Sequence, residues 1–236
     1  MAARATINHP LPLIDLHPEV TAPVALPDRI YATLKHRILT CGMLPSARIV
    51  EKELCSEMKV SRTPLREALN RLALEGLVLI TPYRGYAVTP LTLDGFRELC
   101  EVRRILEAEA AALSAERATA RDIEQLESLA QLRYRREDRR TYERYLRANS
   151  AFHQALVQCT RNRRLEAMVM SALDQHQRPL YMGLGVGVDG QASTAEHLHV
   201  VEAVRSRKPG EARKVVIEHI TRGEERISTA LRAAGY

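Results

Sequence analysis

The sequence holds no CxxC pair, no HExxH run and no continuous apolar stretch approaching the roughly 20 residues that a bilayer-spanning helix requires. Each gap removes a class of function. Cys41, Cys55, Cys100 and Cys159 are scattered and no secretory signal stands before them, so reduced thiols in a soluble, cytoplasmic protein with no membrane partner are the expectation. Without HExxH, no helix presents two histidines and a general base to one zinc ion in the metalloprotease manner. The one glycine-rich stretch, Gly183, Gly185, Gly187 and Gly190, lacks the strand-to-helix setting of a dinucleotide loop and is expected to be a flexible connection.

What is present suffices for two cores. The 236 residues are 45% hydrophobic, the content of a globular chain with two domains. A formal net charge of +6 favours a polyanionic partner, and the excess is concentrated: residues 27–90 carry ten Lys/Arg against six Asp/Glu. Inside that basic segment runs Val60-Ser61-Arg62-Thr63-Pro64-Leu65-Arg66-Glu67-Ala68-Leu69-Asn70-Arg71-Leu72. Leu65, Ala68, Leu69 and Leu72 fall on one helical face, while Arg62, Arg66, Asn70 and Arg71 fall on the other; Ser61 or Thr63 can cap the first turn, and Pro64 is tolerated there. Guanidinium groups at the N-terminal end of such a helix sit where a recognition helix first meets phosphates and base edges. A solvated basic face on an ordinary surface helix has the same pattern. The flanking sequence separates the two readings.

Residues 1–26 read as an extended arm, since His9-Pro10, Leu11-Pro12, His17-Pro18 and Ala22-Pro23 crowd it with prolines. From Asp28, Ile30, Leu34 and Ile38 recur at four-residue spacing along a helix that ends before Gly42. A second short helix is expected over about Val50 to Met58, and Lys59-Val60-Ser61 then turns into the basic helix, which makes a helix-turn-helix. Leu77 to Ile80 and Ala87 to Thr89 are β-prone runs around Thr81-Pro82-Tyr83-Arg84-Gly85-Tyr86, a hairpin that beside a helix-turn-helix is a wing. Arg84 and Gly85 at its tip offer one cation and a backbone able to approach a phosphate or the minor groove.

These residues carry a family resemblance. Ile38 through Pro45, Glu53-Leu54, Val60 through Leu69, Leu72, Glu75-Gly76-Leu77 and Arg84-Gly85 resemble the winged helix of GntR-type transcriptional regulators over residues 30–90. The resemblance implies that Arg62 and Arg66, on a helix opened by Ser61, read the major groove of double-stranded DNA. It also implies that Lys52 and Thr63 contact phosphate or base and that Gly85 enters the minor groove. Lys52 stands where many relatives carry Arg, which removes a bidentate guanine contact there.

Beyond Pro90 the pattern is helical throughout. Phe96, Leu99, Val102, Leu106, Ala110 and Leu113 form one stripe, Ile123, Leu126, Leu129 and Leu132 the next, and further helices are expected at about 138–159, 162–180, 193–206 and 209–234. The fold expected is mainly α: an N-terminal winged helix-turn-helix with a small β-hairpin wing over 27–90, and a C-terminal all-α antiparallel helical bundle over 91–236. Bundles build ligand sites between facing helices. His153, His197 and His219 come from three different helices and could surround one Zn²⁺ or Ni²⁺ ion, although a helical histidine is more often a surface or satisfied core residue. By spacing, His199 and His176 face elsewhere. Arg103 reads equally as a surface ion pair with Glu107 one turn on.

Residues 94–232 resemble the FCD effector domain of the FadR subfamily, through Arg103 and Glu107, Asn149-x-x-Phe152-His153, Glu196-His197, Ala203 and Glu218-His219-Ile220. Members of that subfamily bind a divalent metal through an Asp and three His, and the metal helps hold a small carboxylate. The resemblance implies a metal set of Asn149, His153, His197 and His219, and effector contacts from Arg103 and Arg178. Asn149 stands at the usual Asp position, and its neutral oxygen weakens a metal site. Two outcomes stay open: a weakened metal site, or imidazoles and Arg103 gripping an organic anion directly. The function implied is a repressor that binds a palindromic operator as a homodimer and answers to a small carboxylate effector. Two rivals remain: a metal-dependent hydrolase-like domain fused to a DNA-binding head, because an open three-histidine site can activate water, and an architectural DNA-binding protein with a purely structural bundle.

Overall fold

The computed structural model describes residues 25–131, 140–188, 190–233 and 235. The proline-rich arm up to residue 24, Leu132 and the start of the helix expected from 138 lie outside that set. The chain divides into two units between Thr89 and Pro90.

The first unit runs α1 (Leu26–Leu39), β1 (Arg48–Ile49), α2 (Glu51–Met58), α3 (Arg62–Leu74), β2 (Val78–Thr81) and β3 (Gly85–Val88). Pro27 and Asp28 sit in the first turn of α1, where a missing N–H costs nothing and a carboxylate meets the positive helix end. Ile30, Leu34 and Ile38 then pack against Leu65, Leu69 and Leu72 of α3. The turn between α2 and α3 closes through Lys59 in the left-handed conformation at φ 55°. The sheet has the order β1-β3-β2, all antiparallel, with Ile49 and Ile80 both opposite Tyr86. The hairpin expected from sequence therefore gains a third strand. At two residues β1 is too short to show a period, and only its pairing with β3 defines it. A polar cluster locks α3 to α1: Arg71 lies 4.0 Å from the Tyr31 ring centroid and 2.6 Å from Asp28, while the Tyr31 hydroxyl donates to Glu75.

The second unit consists, among the described residues, of α4 (Leu93–Arg117), α5 (Ala120–Ala130), α6 (Arg140–Gln158), α7 (Arg163–Gly185), α8 (Gly190–Arg205) and α9 (Pro209–Ala233). Side-chain caps fix where the helices begin: Thr92 accepts from Gly95 N, Thr119 forms a capping box with Asp122, and Asn162 accepts from Arg164 N and Leu165 N. Helix α4 is central and packs along α9, with α6, α7 and α8 also against it.

Two expectations are corrected here. Helix α7 continues through Pro179 to Gly185, so Gly183 and Gly185 are helical rather than part of a flexible connection. Pro179 removes one ladder N–H but Leu180 and Leu184 remain buried, and a Cβ on Gly183 would lie 3.0 Å from the Val188 side chain, a tight contact that would make Val188 shift. The inward stripe of α4 also differs. Val102 is 46% exposed, while Phe96, Cys100, Arg103, Glu107 and Ala111 point inward. A hydrophobic template cannot see that face, because its middle is an arginine and a glutamate that are buried only as a pair.

Candidate nucleic-acid interface and metal centre

Helix α3 buries Leu65, Ala68, Leu69 and Leu72 and exposes Arg62, Thr63, Arg66 and Asn70. Ser61 occupies the N-cap position but makes no capping hydrogen bond, and the helix begins at Arg62, so neither Ser61 nor Thr63 caps it as the sequence suggested. The first-turn N–H groups therefore receive no side-chain cap from Ser61. Lys52 on α2 and Arg84 in the wing are exposed. At the wing tip Tyr83 and Gly85 adopt φ 62° and 82°, and nothing lies within 4 Å of a Cβ built on Gly85. The Tyr86 hydroxyl donates to Asn70 Oδ1 at 3.1 Å, tying the wing strand to α3.

Arg66 is held. Its Nε lies 2.6 Å from Glu51 Oε2 and its terminal nitrogen 3.3 Å from Glu51 Oε1. The pair takes Nε and one terminal nitrogen of the fork and leaves the other terminal nitrogen outside it. Sequence reasoning missed Glu51, because its spacing to Arg66 spans a turn and carries no local signal.

In the second unit α6 supplies His153, α8 His197 and α9 His219, all buried, with donor atoms within 4.8 Å of one another. Two of the rings are backed by acids. His219 Nδ1 shares a hydrogen bond with Glu196 at 2.8 Å, and Arg226 grips the same carboxylate at 2.7 and 2.9 Å. His153 Nδ1 lies 2.6 Å from Glu107 Oε2, at ion-pair distance but outside hydrogen-bond angles. Acids behind Nδ1 leave Nε2 of both rings as the free donor atoms, the second-layer arrangement of metal-binding histidines. His197 stacks on Phe152 with ring centroids 4.0 Å apart, and neither of its nitrogens has a hydrogen-bond partner.

Burial favours the neutral form of His197 and His219. Burial, and then the neighbouring histidines, hold His197 well below the usual histidine range; burial also lowers His219, and the Glu196 hydrogen bond offsets this only in part. Burial would raise the Glu196 carboxyl, but hydrogen bonds from His219 and Arg226 bring it down to about 2. Glu107 follows the same logic: burial would raise its carboxyl, yet Arg103 and then His153 outweigh that and hold it well below the usual range. Neutral, buried and under-bonded imidazole nitrogens fit a divalent ion of borderline softness.

Asn149, one turn before His153, is buried and lines a cavity of about 30 Å³ with Arg103, His153, His176, Ser193 and His219. Arg103 gives its Nε to Glu107 Oε1 at 2.6 Å, with side chains 4% and 2% exposed, so of the two readings of Arg103 the surface ion pair is excluded. Arg178 is buried but is not among the cavity-lining residues; His176, two positions earlier, is. Spacing alone set His176 aside, because the face of α7 turned to the cavity becomes visible only once α4 and α9 are packed against it. His199 is exposed.

Comparison with known proteins follows the same division. Residues 26–88 match the family described as bacterial regulatory proteins, gntR family, and residues 98–222 match the FCD domain. The Nta operon transcriptional regulator of Aminobacter aminovorans is 32% identical over 193 residues, which cover 80% of this chain and 89% of that one. The HTH-type transcriptional repressor RspR of Escherichia coli K12 is 25% identical over 199 residues, 84% of this chain and 87% of that one. The solved structure of E. coli McbR/YncC superposes with a TM-score of 0.69 at 20% identity, over 90% of this chain and all of that one, and shows the fold. A winged helix joined to a helical domain with a buried polar cavity defines a one-component DNA-binding regulator. This chain belongs to the GntR family of transcriptional regulators and carries an FCD effector domain. No described helix is long and apolar enough to cross a membrane.

Proposed function

We propose that the protein is a repressor that binds a palindromic operator as a homodimer and releases or reshapes that binding when a small carboxylate enters the helical domain. The observation that carries this reading is the exposed, N-terminally open face of α3, with Arg62 and Arg66 presented on a frame anchored by Leu65, Leu69 and Leu72. In this reading Arg62 and Arg66 read base edges in the major groove. Lys52, Ser61 and Thr63 hold phosphates, and Arg84 with Gly85 enters the minor groove. One such head covers a few base pairs, so two half-sites about one helical turn apart supply the specificity of a regulator.

In the helical domain His153, His197 and His219 would hold a divalent ion, Zn²⁺ or Ni²⁺, with Asn149 as a weak fourth contact in place of an acid. What such an ion would supply there is positive charge and open positions for a carboxylate oxygen. Arg103 presents its terminal nitrogens to the same anion, because Glu107 fixes its Nε and sets the plane of the fork. Arg178, buried on α7 but not among the cavity-lining residues, takes no effector contact in this reading. An effector that draws α4, α6, α8 and α9 around itself selects one arrangement of the domain, and its differential affinity for the two arrangements is the regulatory free energy.

The test is an electrophoretic and footprinting assay on the DNA flanking the protein's own coding region, with and without candidate acids. A single protected palindrome, lost on Arg62→Ala with Arg66→Ala, supports the reading; uniform protection of any duplex refutes it in favour of an architectural role. Metal-dependent hydrolysis of an ester or amide by the purified protein would instead support the hydrolase-like alternative.

A further inference from the structure

The turn that joins β2 to β3 places a residue where its chemistry does not belong. Arg84 N bonds to Thr81 O at 3.1 Å, closing a four-residue turn with Pro82 second and Tyr83 third, and Tyr83 has φ 62°. Proline in the second place and a positive φ in the third are the marks of a type II turn, whose third place ordinarily goes to glycine or asparagine. A bulky side chain in that conformation is an outlier, because its Cβ crowds the backbone. Nothing in the unit compensates. Tyr83 is the most exposed of the large hydrophobic side chains, and among the described residues no hydrogen bond or ring contact holds it. Strain at a side chain that touches nothing of its own protein points to a contact made outside it.

The frame around the turn says where that contact lies. Tyr86 on β3 donates to Asn70, which stands on the exposed face of α3 one turn beyond Arg66, so the wing is fixed beside the face that carries Arg62 and Arg66. Between Gly76 and Pro90 the only charged residue is Arg84, a cation, and nothing on the wing repels a phosphate backbone. Gly85, with φ 82° and open space where a Cβ would stand, lets the main chain come close. The two grooves of a duplex are separated only by a backbone, so a hairpin beside a helix in the major groove overhangs the neighbouring minor groove.

We propose that Tyr83 is a DNA-contacting residue whose ring enters the minor groove beside each half-site and selects A·T over G·C pairs there. This rests on the reading of α3 as the helix that reads DNA. The selection has a steric and a chemical source. A minor groove about 6 Å wide admits a flat ring edge-on, and on A·T pairs its floor offers acceptors to which the tyrosine hydroxyl donates. A G·C pair puts the guanine amino group into the space the ring would take. Arg62 and Arg66 address the other groove, so the two selections are independent.

The experiment starts from the duplex that the full-length protein enriches from a random pool. The pairs beside each half-site are then made A·T, G·C or inosine·C, the last having the major-groove pattern of G·C without the amino group in the minor groove, and binding is followed by fluorescence anisotropy. Wild-type protein should bind the G·C duplex at least about fivefold more weakly than the A·T duplex, and inosine should restore most of the loss. In Tyr83→Gly the three duplexes should bind alike, while the preference at the pairs read by α3 persists. Tyr83→Phe keeps the ring and should keep most of the ordering. Because glycine suits the turn, Tyr83→Gly should also melt no lower than wild type in scanning calorimetry. A wild type indifferent to the three duplexes, inosine·C that binds as weakly as G·C, or an ordering that survives Tyr83→Gly overturns the role of Tyr83 and leaves the reading of α3 standing. A lower midpoint in Tyr83→Gly overturns it as well, since the side chain would then be packed within the protein. A pool from which no duplex is enriched overturns both readings.

Discussion

Replacing Glu107 by Gln should expose how much of the helical domain rests on one buried carboxylate. The change keeps shape and removes the charge that sits 2.6 Å from both Arg103 Nε and His153 Nδ1, in a residue 2% exposed. Arg103 is then a guanidinium 3% exposed without its counter-charge. Breaking a buried pair by removing one partner costs about 3–5 kcal/mol, since the surviving charge stays desolvated. For a unit of this size that is a fall of about 6–20 °C in the midpoint of the helical domain's thermal transition. Removing both charges, with Arg103→Met added to Glu107→Gln, should restore most of the loss and give a coupling of more than about 2 kcal/mol in the double-mutant cycle. Scanning calorimetry at pH 7 on the four proteins is sufficient. The sign with pH is fixed as well. Because the folded carboxyl is held low, its stabilisation is complete above the ordinary glutamate range and is lost as pH falls toward the folded value. A midpoint that moves by less than about 2 °C in Glu107→Gln would mean that the Arg103 charge is solvated, and the closed polar cavity would have to be abandoned.

Further outcomes follow from the same geometry. Zn²⁺ or Ni²⁺ at a hundredfold excess over its dissociation constant should stabilise the protein by about 2.7 kcal/mol, with no shift in His197→Ala, and Asn149→Asp should lower the metal concentration needed; equal shifts in all three proteins would place the ion elsewhere. Metal-free protein should lose stability as pH drops below 6.5, because unfolded His176, His197 and His219 take up protons that burial denies the folded rings, by up to about 1.4 kcal/mol per pH unit for each ring; a flat melting profile between pH 7 and 5.5 refutes their burial as neutral groups. On DNA, Arg62→Ala or Arg66→Ala should relax base preference at one position by about ten- to a hundredfold in a binding selection, while Lys52→Ala should weaken all sequences alike and lower the salt slope by about one. Glu51→Gln should blunt the preference at the Arg66 position without weakening binding to random duplex; an unchanged preference would reduce Glu51 to a surface ion pair.

The parts legible in the sequence are those with a repeating signal. The run from Val60 to Leu72 announced α3 because its apolar period and its charges agree, and the helices beyond Pro90 follow from long 3.6-residue patterns. The family resemblance then located Arg103, Asn149, His153, His197 and His219, whose spacing alone is ambiguous. What stayed hidden is tertiary. Strand β1 exists only through its pairing with β3, and the Arg103–Glu107 pair read as a surface contact until α6 and α9 covered it. His176 looked displaced from the other histidines until α4 and α9 were seen packed against its face of α7, and Glu51 gains meaning only through Arg66 across a turn.

One consequence of the buried ion pairs concerns bookkeeping of charge inside the cavity. Arg103 and Glu107 cancel, Glu196 and Arg226 cancel, Asn149 contributes nothing where an acid would have contributed a negative charge, and burial disfavours a proton on His197 and His219. These groups together carry no net charge before anything enters. A divalent cation arriving alone would leave two uncompensated positive charges in a poorly polarisable interior, and an anion arriving alone would leave at least one negative charge. Were a cation and an acid both to enter, each would raise the occupancy of the other, as the two halves of a salt.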